Sequence, residues 1–97
     1  GRVATLEDLE QARAAHAAWR ARVLQALLEV ETALDDYQAA MTALSAAAEA
    51  ARLQRRALDL TRRLFEDGEA TLSELITAEE AAAGAERRLA DLRLAQG

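Results

Sequence analysis

His16 is the chain's single histidine, so acid–base catalysis near neutral pH would have to run through it. No Ser, Thr or carboxylate is spaced around it as a nucleophile–base–orienter set. A di-iron helical bundle needs two Glu-x-x-His pairs, which one histidine cannot supply. No glycine-rich phosphate loop is present. The expectation is a protein without catalysis, metal or cofactor. His16 then reads as a polar residue on a partner-facing stripe. Trp19, Tyr37 and Met41 read as packing residues.

What the chain does have is material for helices. Its 97 residues make one small domain at most, or a piece of something larger. About a quarter of them are Ala, with Leu next, while Pro and Cys are absent and aromatics number three. A β-sandwich or barrel would need β-branched and aromatic residues with frequent turns, so the class is all-α. Lacking Cys, the sequence leaves the redox compartment open. The 12 basic residues are all Arg, and 17 acidic residues outnumber them for a net charge of −5. Arginines interleaved among carboxylates on an acidic chain make a poor nucleic-acid binder. The longest uncharged stretch, residues 37–48, is far short of the roughly 20 apolar residues a bilayer span needs. A start at Gly1, with no signal peptide in view, reads as an excised or processed segment.

Thr5 can cap a helix whose first turn carries Glu7 and Asp8, acids suited to the positive end of the dipole. Neither Gly nor Pro interrupts the pattern from there to Glu66, a rod of roughly 90 Å if fully helical. Gly68 in Asp67-Gly68-Glu69 breaks it, and Thr71-Leu72-Ser73-Glu74 reads as a capping box opening a second helix. The spacing therefore predicts one helical hairpin over 1–97: a long helix over about 5–66, a tip at 67–70 and a short helix over about 71–96. Gly84 is the one weak spot in the short arm.

The long arm carries two heptad seams. One steps through Val23, Leu27, Val30, Leu34, Tyr37, Met41, Leu44, Ala48, Ala51, Arg55, Leu58, Arg62 and Phe65. The other steps through Ala39, Ala43, Ala46, Ala50, Leu53, Ala57, Leu60 and Leu64. On a wheel of 3.5 residues per turn they lie roughly 150° apart, which calls for a neighbouring helix on each side. The wider side between them carries Glu49, Arg52, Arg56, Asp59, Arg63 and Glu66, with Asp59 and Arg63 spaced for an ion pair. The narrower side carries Ala40, Ala47, Gln54 and Thr61. Unequal sides fit the curved wall of a helical barrel, and equally the corner of an ordinary bundle.

The arms are also unequal. Pairing about Gly68 covers the long arm only back to about Met41. Leu24, Leu27, Leu28, Val30 and Leu34 are left without an intrachain partner. Burial of each is worth roughly 1.5–3 kcal/mol, so the isolated chain is expected to self-associate.

Phe65-Glu66-Asp67-Gly68 followed by Thr71-Leu72-Ser73-Glu74-Leu75-Ile76-Thr77-Ala78-Glu79 resembles the second periplasmic hairpin of TolC-like outer-membrane efflux proteins. Those carry an aromatic three before a tip Gly, then Ser or Thr, Leu, and an acid-Val-Leu-Asp-Ala-Gln-like run. Residues 23–34 are similar to the family's Val-Leu-x-Ala-x-x-Glu-Val-x-x-Ala-Leu stretch. The resemblance covers nearly the whole chain, with motifs of moderate specificity in the family's order. It implies a segment of a periplasmic α-barrel in a trimeric channel of a Gram-negative outer membrane. Such a channel is the exit duct of a drug, metal or type I secretion pump. Its partners would be a periplasmic adaptor and, through it, an inner-membrane pump.

By that resemblance the adaptor-docking tip is Phe65, Asp67, Gly68 and Glu69, and the pore constriction falls at Glu74 and Thr77. Phe65 lacks the hydroxyl usual in the family and is equally the last residue of its seam. Glu74 stands where the capping-box partner of Thr71 would stand. Thr77 replaces a second acid, and Asp67 and Glu69 replace the apolar residues that commonly flank the tip Gly. Two other readings stay open: a stand-alone antiparallel coiled coil that joins partners, and the hairpin of a periplasmic adaptor. The Arg, Leu and Ser tip signature of adaptors is not found around Gly68.

Overall fold

The computed structural model describes residues 3–96. Two helices, α1 (Leu6–Glu66) and α2 (Leu72–Gln96), form an antiparallel hairpin with unequal arms, and no strand occurs among the described residues. Both N-termini are set by threonine. The Asp8 N–H donates to Thr5 Oγ1 at 3.2 Å, and the Asp8 carboxylate accepts from the Thr5 N–H at 3.1 Å, a reciprocal capping box. At α2 the Glu74 N–H donates to Thr71 Oγ1 at 3.1 Å. Each cap is worth about 1 kcal/mol. Both threonines thus stand one residue outside the helices they start. Helix α2 runs through Gly84 without a break, and a Cβ there would meet only the Arg87 guanidinium at 3.8 Å.

The chain comprises two compact units, dividing after Tyr37. In the first, α1 carries no buried residue, and Val23, Leu24, Leu27, Leu28, Val30 and Leu34 are all exposed. His16 and Trp19, one turn apart, stack with ring centroids 5.9 Å apart and planes inclined by 25°.

In the second unit, α2 presents Leu75, Ala78, Ala82, Ala85, Leu89 and Leu92, alternating three and four residues apart, as its buried or half-buried stripe. Ala47, Ala51 and Leu89 form the core, with Leu44, Ala48, Ala85 and Leu92 packed against it. Leu58 and Ala82 complete the buried set. Short side chains on both helices permit a close approach of the axes.

This packing corrects the expected side of α1. Ala47, placed by the heptad wheel on the open narrow side, is only 5% exposed. Thr61 is half-buried as well, whereas Arg55 and Arg62, expected within the seam, are exposed. Two stripes share Leu44, Ala51 and Leu58. One continues through Ala48, Arg55 and Arg62, the other through Ala47, Gln54 and Thr61. Burying guanidinium groups is costly, so the helix turns Ala47 and Thr61 inward and leaves Arg55 and Arg62, with Gln54, in water. Of the other seam, Ala43 and Leu64 are half-buried, while Ala46, Ala50, Leu53, Ala57 and Leu60 are exposed.

Candidate docking surface

The tip is built by the way α1 stops. Gly68 has φ of +78°, the left-handed conformation that an L side chain resists. Its N–H donates to the Phe65 carbonyl at 3.0 Å, and the Glu69 N–H reaches back to the Leu64 carbonyl at 2.7 Å. That pair of bonds is a Schellman motif. The Ala70 N–H shares the Leu64 carbonyl at 3.1 Å, and the Asp67 N–H donates to the Arg63 carbonyl at 3.0 Å. The carbonyls of Arg63, Leu64 and Phe65 are thereby satisfied without any side chain. Glu66, Asp67, Gly68 and Glu69 are exposed, and so is Phe65 at 39%.

A Cβ added at Gly68 would meet nothing within 4 Å. Substitution should therefore act through the backbone alone. Gly68→Ala is expected to destabilise the hairpin by about 1–2 kcal/mol, the cost of the left-handed conformation. Gly68→Asn should lose less. Thermal melts followed by circular dichroism rank the two, and equal melting of both variants with the parent would refute this account of the turn.

The tip charges work against their own helix. Glu66, Asp67 and Glu69 cluster at the negative end of the α1 dipole, where a cation would be favoured and an anion costs roughly 0.3–1 kcal/mol. Among the described residues none of the three enters an ion pair. Arg63 is the one basic residue of the last turn.

Glu74 and Thr77 lie one turn apart on α2, both exposed, while their neighbours Leu75 and Ala78 form part of the packed stripe. The Thr77 hydroxyl donates to the Ser73 carbonyl at 2.9 Å, so it is held to its own helix. The Glu74 backbone N–H belongs to the Thr71 cap, and its carboxylate stands on the open flank. Only half of the expected capping box thus forms: Thr71 caps the Glu74 N–H, and the Glu74 carboxylate stays outward.

Above the tip the charged side of the hairpin is tied by arginine. Arg52 binds Glu49 through two bonds of 2.5 and 3.0 Å, and these hydrogen bonds hold the Glu49 carboxyl below its ordinary range and raise Arg52. Arg55 reaches across to Glu86 and joins α1 to α2. Asp59 pairs with Arg62 at 3.9 Å, in place of the expected Arg63. Arg52, Arg55, Arg56 and Arg93 border an open groove of about 550 Å³, floored by Ala48, Ala51 and Leu89. The Arg55–Glu86 bridge joins residues far apart in sequence, and no local spacing rule finds it.

No group of His, Cys, Asp or Glu able to hold a metal occurs among the described residues, and no helix there is long and apolar enough to cross a membrane. Compared with protein-family models, curated proteins and solved structures, the chain matches none.

Proposed function

We propose that this hairpin is a wall-and-tip element of a periplasmic tunnel. It would be a segment of a trimeric outer-membrane efflux or type I secretion channel whose tip meets a periplasmic adaptor and, through it, an inner-membrane pump. The observation that carries the reading is the half-used long arm. Within the second unit α2 covers one side of α1, while Ala46, Ala50, Leu53, Ala57 and Leu60 stay exposed in heptad register for another helix. A helix with neighbours on two sides belongs in a wall. The uncompensated acids at the tip add support, because a basic or N–H-rich partner would relieve both their mutual repulsion and their conflict with the dipole. The role is structural, and no residue is assigned to chemistry.

The test is charge reversal at the tip of the full channel. Asp67→Arg combined with Glu69→Arg should abolish capture of the cognate adaptor at low salt while leaving helix content and trimer assembly unchanged. Each exposed pair contributes only about 0–1 kcal/mol, but identical tips around a ring act together. Undiminished capture at both low and high salt would remove the tip from docking.

A further inference from the structure

The first unit offers a surface with a directional charge pattern. Along it Val23, Leu24, Leu27, Leu28, Val30, Leu34 and Tyr37 are each between 38% and 61% exposed. The same segment segregates its charges along the axis. Arg13, Arg20 and Arg22 precede the strip or enter its start, and Glu29, Glu31, Asp35 and Asp36 occupy its second half. No acid falls between Glu10 and Glu29, and no arginine between Arg22 and Arg52.

A second copy laid parallel and in register would set Arg20 and Arg22 level with themselves, and likewise Asp35 and Asp36. Laid antiparallel, it would bring basic end to acidic end. The heptad fixes the register further, because a layer forms where one seam position faces its complement. Val23 then lies level with Leu34 of the second copy and Leu27 with its Val30, and both layers repeat by symmetry. In this register Arg20 lies level with Tyr37 of the second copy, whose ring can receive a guanidinium, and the layer repeats by symmetry. A slip of one heptad one way sets Arg20 against Val30, which buries a charge in the seam. The slip the other way sets Val23 level with Met41, which is already half-buried. We propose that residues 20–37 form a symmetric antiparallel homodimer interface, with Val23, Leu27, Val30 and Leu34 as its layers, oriented by the basic first half of each copy lying alongside the acidic second half of the other. The proposal concerns two copies of this chain and does not rest on the tunnel reading.

The chain has no cysteine, so introduced thiols report the register directly. Val23→Cys chains mixed with Leu34→Cys chains and oxidised should give the mixed disulfide, with neither variant cross-linking to itself. Sedimentation equilibrium of the parent chain at tens of micromolar should give a two-chain mass. Leu27→Glu should give a monomer of unchanged helix content. Asp35→Arg combined with Asp36→Arg turns the acidic end basic and should raise the dissociation constant several-fold at low salt, with little change at high salt. A monomeric parent chain would overturn the proposal. Self-cross-linking of Val23→Cys would overturn the antiparallel register.

Discussion

Leu89→Ala is expected to cost the hairpin about 2–5 kcal/mol. Leu89 is 6% exposed and is the one large side chain in a core whose other buried members are Ala47 and Ala51. Alanine has no rotamer with which to fill a void, so the space left by the isobutyl group would stay open and the cavity cost would come in full. Nearby leucines offer limited relief: Leu44 and Leu92 are half-buried, each already committed to its own layer. Most of a helix's stability in a protein comes from tertiary packing, so weakened docking should also lower the helix content of α2. Leu94→Ala is the control. At 79% exposure its side chain makes little of the core, and the change should fall within about 0.5 kcal/mol. Denaturation followed by circular dichroism measures both. Equal midpoints would mean that α2 is not held by its stripe of Leu and Ala.

The parts of this fold legible in the sequence are those written in local chemistry. Thr5 and Thr71 mark the helix starts because a hydroxyl there satisfies an orphan N–H, and Gly68 marks the stop because it alone accepts φ of +78° without strain. The half-box at Thr71 shows the limit of such rules, since the spacing could not tell whether the Glu74 carboxylate would turn back or stay outward. Which side of α1 meets α2 was less legible. Ala47 and Ala48 are chemically identical, and both flank the shared positions Leu44 and Ala51. Only the arginines downstream discriminate, and a wheel that counts apolar positions passes over them. The α2 stripe of Leu75, Ala78, Ala82, Ala85, Leu89 and Leu92 alternates three and four residues apart, a narrow seam that matches an equally narrow contacting face on α1. The choice of Arg62 over Arg63 by Asp59 depends on rotamers, and spacing permits either.

Ala47→Leu and Ala50→Leu, three residues apart, should behave oppositely in the chain alone. Ala47 lies in the core beside Ala51 and Leu89, with no room for a larger side chain. Leucine there should force the helices apart or α2 off its register, at about 1–3 kcal/mol. Ala50 is exposed, and leucine at that position should change stability by less than about 0.5 kcal/mol. The same pair, built into an assembled channel, bears on the second seam. If another helix packs against Ala46, Ala50 and Ala57, Ala50→Leu should become as costly as Ala47→Leu, because the void it occupies in the chain alone is then a contact between helices. If that side of α1 faces water in the assembly, Ala50→Leu should remain harmless there too. Thermal melts of both variants in both settings separate the cases. A neutral Ala50→Leu that turns destabilising only on assembly would show the α1 wall to be built on both sides, and one neutral in both settings would leave α2 as the only helix that α1 needs.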